Sequence, residues 1–397
     1  MLVPRKKCVG CGLCSIVCPF GSIKMVKDQW GFFYPVIDSE KCKNCGICSN
    51  KCPQSKDNAD ALNSLKSGIE CYVAVHKQTD VVLNSSSGGV ISAIVEEFSK
   101  KKNSWLCAAT FDSSFRVYHE LIKLDKYNVN FRKSKYIQSC SFDCLKLIKE
   151  KLDLGENVLF VGTPCQVSAL KDYVPNSNNL FVIDILCTGV GSPILLEKHI
   201  NFLQRKRNKR IISYDMRAKQ KRKDGTWDVM GCKIGYEDGT YEKNSIYKRM
   251  FKETFYKHFS LRPSCYSCRY KCKDRVGDIT VGDWWKDISL IGIENKGASA
   301  VIINSERGRK IFNGIKNMIY FFPVEYDLIV EQQPALRQIE MEHKSIQAET
   351  DRQLLNFMMR NAIPEPIELI KIAIKAVLPK KLEDKIVKAL RKECTRS

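Results

Sequence analysis

Two runs of cysteine carry the most legible chemistry in this chain. Cys8, Cys11, Cys14 and Cys18 precede Pro19, and Cys42, Cys45, Cys48 and Cys52 precede Pro53. Each run reads C-x2-C-x2-C-x3-C-P, the spacing of proteins that hold two 4Fe-4S clusters. Three thiolates on a tight loop grip three corners of one cubane, and the fourth, just before proline, reaches the other cluster. That rule assigns Cys8, Cys11, Cys14 and Cys52 to one cluster, and Cys42, Cys45, Cys48 and Cys18 to its twin. Zinc is the competing metal, but it takes four ligands, usually as two separated C-x2-C pairs. The expectation is a head that carries electrons one at a time, attached to a body that they serve.

Further cysteines stand where an α/β sheet presents its ligands. Val158–Val161 reads as an apolar strand ending at Gly162, Thr163, Pro164, Cys165 and Gln166, with a helix over Val167–Tyr173. Leu180–Leu186 repeats the scheme, ending at Cys187, Thr188 and Gly189 before a helix opened by Ser192 and Pro193. Strand, loop and helix in alternation predict parallel strands, and ligands of such sheets lie beyond the strands' carboxyl ends. Cys165 and Cys187 both fall at that edge, so a shared metal or cofactor role is expected. Cys265 and Cys268, with Cys272 beyond, read either as half of a zinc ribbon or as the other two thiolates of a four-thiolate site.

Two loops could meet an anion. Asn84–Gly89 feeds a helical pattern over Val90–Lys102, and a glycine-bearing loop at a helix start offers free N–H groups to phosphate. Such loops also serve as simple N-caps. Arg132–Ser139 is basic and polar, and reads equally as an exposed loop. Asp278–Trp285 is a short strand closing in an acidic-aromatic corner.

The elements that must position these groups fit a chain of 397 residues, too long for the head alone. Gly21–Asp38 reads as a small hairpin, Gln54–Gly68 as a polar linker, Cys71–His76, Trp105–Phe111 and Ala298–Asn304 as strands, and Trp227–Glu242 as a hairpin turning at Asp238 and Gly239. Cys140 and Cys144 sit four apart on a presumed helix around Phe142–Lys151 and read as inert core or surface thiols. No window is apolar enough to span a bilayer, and Met1–Lys7 runs straight into a cluster ligand, which argues against a cleaved signal peptide. With eight of 19 cysteines committed to clusters, a reducing cytosol is the expected compartment. The formal charge of +21 would attract an acidic redox partner, an anionic coenzyme, nucleic acid or anionic lipid. The run Gln204–Arg210 lacks interleaved aromatics, which disfavours a nucleic-acid patch. Ile367–Arg391 alternates apolar residues with lysine, as a core-covering helix or one lying on a membrane surface would.

Taken in order, Ser85–Gly89, Ser134–Ser139, Gly162–Gln166, Cys187–Gly189, Cys265 with Cys268, and Asp278–Trp285 resemble the coenzyme F420 hydrogenase and dehydrogenase beta subunit family. The resemblance implies an α+β ferredoxin-like iron–sulfur head joined to an α/β flavin-binding body with parallel strands, and a helical C-terminal tail. It divides the chain into 1–65 (ferredoxin domain), 66–155 (flavin loop), 156–325 (third cluster and flavin or substrate site) and 326–397 (helical extension). It further implies that Cys165, Cys187, Cys265 and Cys268 ligate a third 4Fe-4S cluster. Flavin adenine dinucleotide would lie near Ser86, Ser87, Gly88 and Gly89, near Ser134, Lys135, Tyr136, Gln138 and Ser139, and near Thr163, Pro164 and Gln166. The implied function is an iron–sulfur flavoprotein oxidoreductase exchanging hydride with coenzyme F420 or a related small substrate. A partner such as ferredoxin or a larger redox subunit is expected. The alternative is a non-catalytic electron-transfer subunit serving a partner enzyme, with surface polysaccharide synthesis as one setting. No catalytic acid or base stands out.

Overall fold

A computed structural model describes residues 3–55 and 69–336, except 176, 244–250, 253, 257, 259, 290 and 291. The tail pattern at Ile367–Arg391 and most of the predicted linker lie outside the described residues.

The head is built on one hairpin and two single-turn helices. Strands β1 (Ile23–Lys27) and β2 (Phe33–Ile37) pair antiparallel, Ile23 opposite Ile37 and Lys27 opposite Phe33. Asp28 closes the turn, its carboxylate accepting from the amides of Trp30 and Phe32 at 2.9 Å each. Helices α1 (Leu13–Ile16) and α2 (Ile47–Asn50) each begin after a glycine, Gly12 and Gly46, with φ near 74° in both. That left-handed backbone is the conformation glycine adopts without steric cost. In the first run it turns the chain so that Cys8, Cys11 and Cys14 face one another.

The body is organised on an eight-stranded sheet. Its strands are β3 (Glu70–His76), β4 (Ser104–Phe111), β5 (Val117–Lys123), β6 (Asn157–Gly162), β7 (Leu180–Ile185), β11 (Ile279–Trp284), β12 (Ala298–Ile303) and β13 (Ile319–Pro323), in the order β13-β3-β12-β11-β7-β6-β4-β5. The four central strands β4, β6, β7 and β11 are mutually parallel, as expected. The rest of the sheet is antiparallel, so the sheet is mixed rather than wholly parallel. Strands from both sides of residue 155 alternate within it, so the expected division there does not separate two sheets.

Both faces of the centre are covered, which explains the unbroken apolar runs. Leu159, Phe181 and Ile183 face a core with Ala93, Ile94 and Phe98 of α4 (Val90–Ser99) and Phe312 and Ile315 of α8 (Glu306–Ile315). Their neighbours Val158, Phe160, Leu180 and Val182 face the opposite core with Leu145 and Ile148 of α5 (Phe142–Asp153) and Val167 and Leu170 of α6 (Pro164–Tyr173). Short helices α3 (Thr79–Leu83) and α9 (Tyr326–Gln332) complete the cover.

A second sheet, β8 (Ile211–Lys221), β9 (Trp227–Tyr236) and β10 (Tyr241–Lys243), is antiparallel and follows α7 (Pro193–Arg207). The charged run at the end of α7 is absorbed there: Arg207 pairs with Glu242, Lys209 with Asp238 and Arg210 with Glu237. The head docks on this part of the body. Trp30, Phe32 and Tyr34 share one core with Leu195 and Ile200 of α7 and with Tyr214 and Ile234 of β8 and β9. The Ser192 hydroxyl donates to the Trp30 carbonyl at 2.7 Å, sealing the joint. Among the described residues, no helix is long and apolar enough to cross a membrane.

Candidate iron–sulfur and flavin sites

In the first cysteine set the partners come from both runs. Cys11 faces Cys14, Cys52 and Cys8, and Cys14 faces Cys8 and Cys52. Thiols of both runs therefore lie near one another, with Cys48 of the second run also near Cys14. The four line a partly open recess together with Met25, Pro35 and Pro53. Burial, with the neighbouring thiols adding to it, pushes Cys11 and Cys14 up to about 12. A metal that binds thiolate offsets that cost. Among the described residues, no three His, Cys, Asp or Glu side chains converge tightly enough for a single metal ion. Cys18, at the other end of the head, is lowered by a 3.1 Å bond to the Ser22 hydroxyl. Cys45 is exposed, and Cys42 and Cys48 are half-buried.

A second thiol set forms where the central strands end. Cys165 follows β6 in the first turn of α6, behind a capping box in which Thr163 and Gln166 satisfy each other's backbone. A helix N-terminus favours thiolate, but burial, with the neighbouring Cys268 and Cys265 adding to it, pushes the Cys165 thiol up. Cys187 follows β7, and Cys265 closes a 3-10 turn at Pro263–Cys265. Cys187 faces Cys265, Cys165 and Cys268, while Cys165 faces Cys268, Cys265 and, from the head, Cys11. Burial pushes Cys268 up to about 11. Cys272 stands apart, beside Arg275 and Asp274, with its thiol donating to the Asp274 carbonyl at 3.3 Å. Cys144 donates to the His119 carbonyl and Cys140 to Asp143, so both thiols are occupied locally.

The loops expected around a flavin do come together. The Ser134 amide donates to the Ser86 hydroxyl at 2.7 Å, and the Gln166 side-chain amide to the Ser139 carbonyl at 3.2 Å. Several of their polar groups are committed internally. Ser87 bonds the Ala298 carbonyl, and the Gly88 amide donates to Ser299 at 2.9 Å. A Cβ at Gly88 would lie 2.2 Å from the Ala74 carbonyl, so glycine is what lets the loop press on β3. Gly89, at φ 85°, starts α4 without a side-chain cap, which leaves its amide end available to an anion. Pro164 is buried at the first helical position. Gln138 is not at this wall at all: it joins the head, donating to the Val9 carbonyl at 3.1 Å and accepting from Arg262 at 2.8 Å.

The wall's organising residues escaped the sequence reading. Arg217, fully buried, grips Asp283 with two nitrogens at 2.9 and 3.1 Å, the Tyr136 hydroxyl at 2.9 Å and the Ser86 carbonyl at 2.9 Å. Lys219 bonds the Val82 carbonyl at 2.8 Å and the Ser87 carbonyl. Lys133 pairs with Asp215. Asp215, Arg217 and Lys219 alternate along β8, so a period of two in charge was the available signal. Burial lowers both Lys135 and Lys219 to about 7, with Arg217 adding to the effect at Lys219 and Asp215 opposing it at Lys135. His119 bridges Ser139 (2.6 Å) and the Val161 carbonyl (3.0 Å) and stacks on Phe160. Burial lowers it to about 4.

A head with two cysteine runs of this spacing defines an iron–sulfur protein. Comparison with known families specifies it further. Residues 155–325 match the C terminus of the coenzyme F420 hydrogenase/dehydrogenase beta subunit, and residues 7–56 match the 4Fe-4S dicluster domain. The chain is an iron–sulfur electron-transfer subunit related, over residues 155–325, to that beta subunit. Among solved structures, a chain of the F420-reducing [NiFe] hydrogenase complex from Methanosarcina barkeri is similar at 16% identity. That likeness has a TM-score of 0.47 and covers 72% of this chain and 92% of that one. No curated protein matches.

Proposed function

We propose that this protein is an FAD- and 4Fe-4S-dependent oxidoreductase that passes electrons between its head and a small organic substrate such as coenzyme F420. The observation that carries this reading is the approach of Cys11 to Cys165, which brings the two thiol sets together at the join of head and body. Cys8, Cys11, Cys14 and Cys52 would hold one cluster, Cys42, Cys45, Cys48 and Cys18 the second, and Cys165, Cys187, Cys265 and Cys268 a third. The exposed Cys45 end would receive electrons from an outside donor, which in this family includes a larger redox enzyme or ferredoxin. FAD bound at the α4 amide end would convert single electrons into hydride, which clusters alone cannot donate. The chain's own part is electrostatic. Lys219 borders the loop before α4 through the Ser87 carbonyl, and a bound pyrophosphate would hold it charged against the burial that lowers it, while Arg217 fixes the loops at Ser86 and Tyr136 to Asp283.

A non-catalytic electron-transfer subunit is the second reading. It is favoured by the internal hydrogen bonds that occupy Ser87, Gly88, Thr163 and Gln166. Iron, sulfide and released flavin per chain, on protein purified without oxygen, separate the two. About twelve irons and one FAD support the first reading, with about four irons lost in Cys165→Ser. About eight irons and no flavin leave only the electron-carrying head.

A further inference from the structure

We infer that Arg262 is a positioning residue that sets the reduction potential of the cluster held by Cys8, Cys11, Cys14 and Cys52. The inference rests on that cluster's assignment to these thiols. Arg262 is among the most deeply buried side chains of the molecule, 1% exposed, and it stands on the body, not the head. Its guanidinium crosses the joint. Nε donates to the Cys8 carbonyl at 2.8 Å, and Nη2 donates to the Phe33 carbonyl at 2.8 Å and to the Cys8 sulfur at 3.8 Å. Nη1 donates to Gln138 at 2.8 Å. The Cys8 sulfur in this contact stands in for a cluster thiolate.

Among the described residues, the charge pairs with no carboxylate. The guanidinium lies over the rings of Tyr34 (4.2 Å) and Phe32 (5.5 Å), and its other partners are neutral carbonyl oxygens. A buried cation is costly unless paired. A four-thiolate cubane is anionic and becomes more so on reduction, so it is the counter-charge that this environment lacks. An arginine held against it stabilises the reduced form most, and hydrogen bonds to cluster sulfur act in the same direction. Gly10 makes the approach feasible. A Cβ there would lie 2.8 Å from the guanidinium and from the Phe33 carbonyl. On its other side, the Arg262 carbonyl accepts from the Cys265 amide at 2.9 Å, so one residue touches a ligand candidate in each thiol set.

The test is an EPR-monitored redox titration of anaerobically reconstituted protein, wild type against Arg262→Gln and Gln138→Glu. The second variant keeps the arginine and sets a carboxylate against it, so it remains informative where the first fails to fold. In each variant, one cluster's reduced-to-oxidised ratio at fixed potential should fall about tenfold, a lowering of about 59 mV for a one-electron couple. The other signals should hold. Unmoved potentials in a variant that retains its wild-type iron and sulfide would overturn the inference and leave Arg262 a docking residue. Wild-type protein with no cluster at Cys8 would instead overturn the assignment beneath it, and iron content distinguishes that outcome.

Discussion

The two cysteine runs are the same words in different company. Each turns through a glycine at φ 74° into a one-turn helix. The first is pressed against the body: Arg262 reaches Cys8, Phe142 abuts Gly12, and Cys11 faces Cys165. The second has open space around Gly46, and its Cys45 is exposed. Spacing decides which metal a run can hold, and surroundings decide what that metal can do. A buried cluster suits handing electrons onward, and an open one suits receiving them.

Breaking the ligands should expose the contrast most strongly. Cys11→Ser and Cys45→Ser should each remove about four irons by analysis. Cys11→Ser should abolish reduction of the FAD proposed for the body by a protein donor acting at the second run. Cys45→Ser should still permit reduction by a small donor that enters the first recess. Equal behaviour of the two variants in stopped-flow reduction would refute the division of labour.

The glycines give a finer version. Gly12→Ala and Gly46→Ala share a left-handed penalty of about 1–2 kcal/mol. Only at Gly12 does the new Cβ lie 2.4 Å from Phe142. Overpacking should add roughly 1–3 kcal/mol there, visible as a lower denaturation midpoint than Gly46→Ala shows. Phe142→Ala, which removes an edge-on contact with Phe33 at 5.2 Å, should cost about 1–3 kcal/mol. Alanine keeps the Phe142 Cβ, the atom nearest the new Gly12 Cβ, so Gly12→Ala should stay the more destabilised glycine variant in the Phe142→Ala background, and Phe142→Gly is the change that should relieve it.

The smallest expected effect concerns protons. His119, buried behind the first run's neighbour α6, is lowered to about 4 from an ordinary 6.5. The unfolded chain then binds the proton first, so stability from neutral His119 is full above 6.5 and is lost as pH falls towards 4. Thermal melts of His119→Gln should show a shallower fall than wild type across that window. A parallel fall would assign the acid sensitivity elsewhere.

Legibility in the sequence followed the same line between local and distant causes. The runs, the apolar strands β6 and β7 and the helix start at Ser192 were readable because their signals lie within a few residues, whereas α6 begins at Pro164, earlier than the expected Val167. The hairpin at Asp238 and Gly239 was readable too, but its absorption of the Gln204–Arg210 charges was not, since those partners sit about thirty residues away. Arg217 and Arg262 look like surface arginines in sequence. Their burial depends on Asp283 in one case and on the head's carbonyls and aromatic rings in the other, none of them sequence neighbours. The antiparallel flanks of the main sheet were missed because β3 and β12 are over two hundred residues apart.

Trp30, Phe32 and Tyr34 are interior residues of the body's own core, even though they belong to the head. Their burial makes the head a fixed wire and not a tethered shuttle. Passage of charge from the first recess towards Cys165 then waits on no domain swing. Its rate should be indifferent to added glycerol, whereas delivery from an outside donor should slow with the viscosity of the medium.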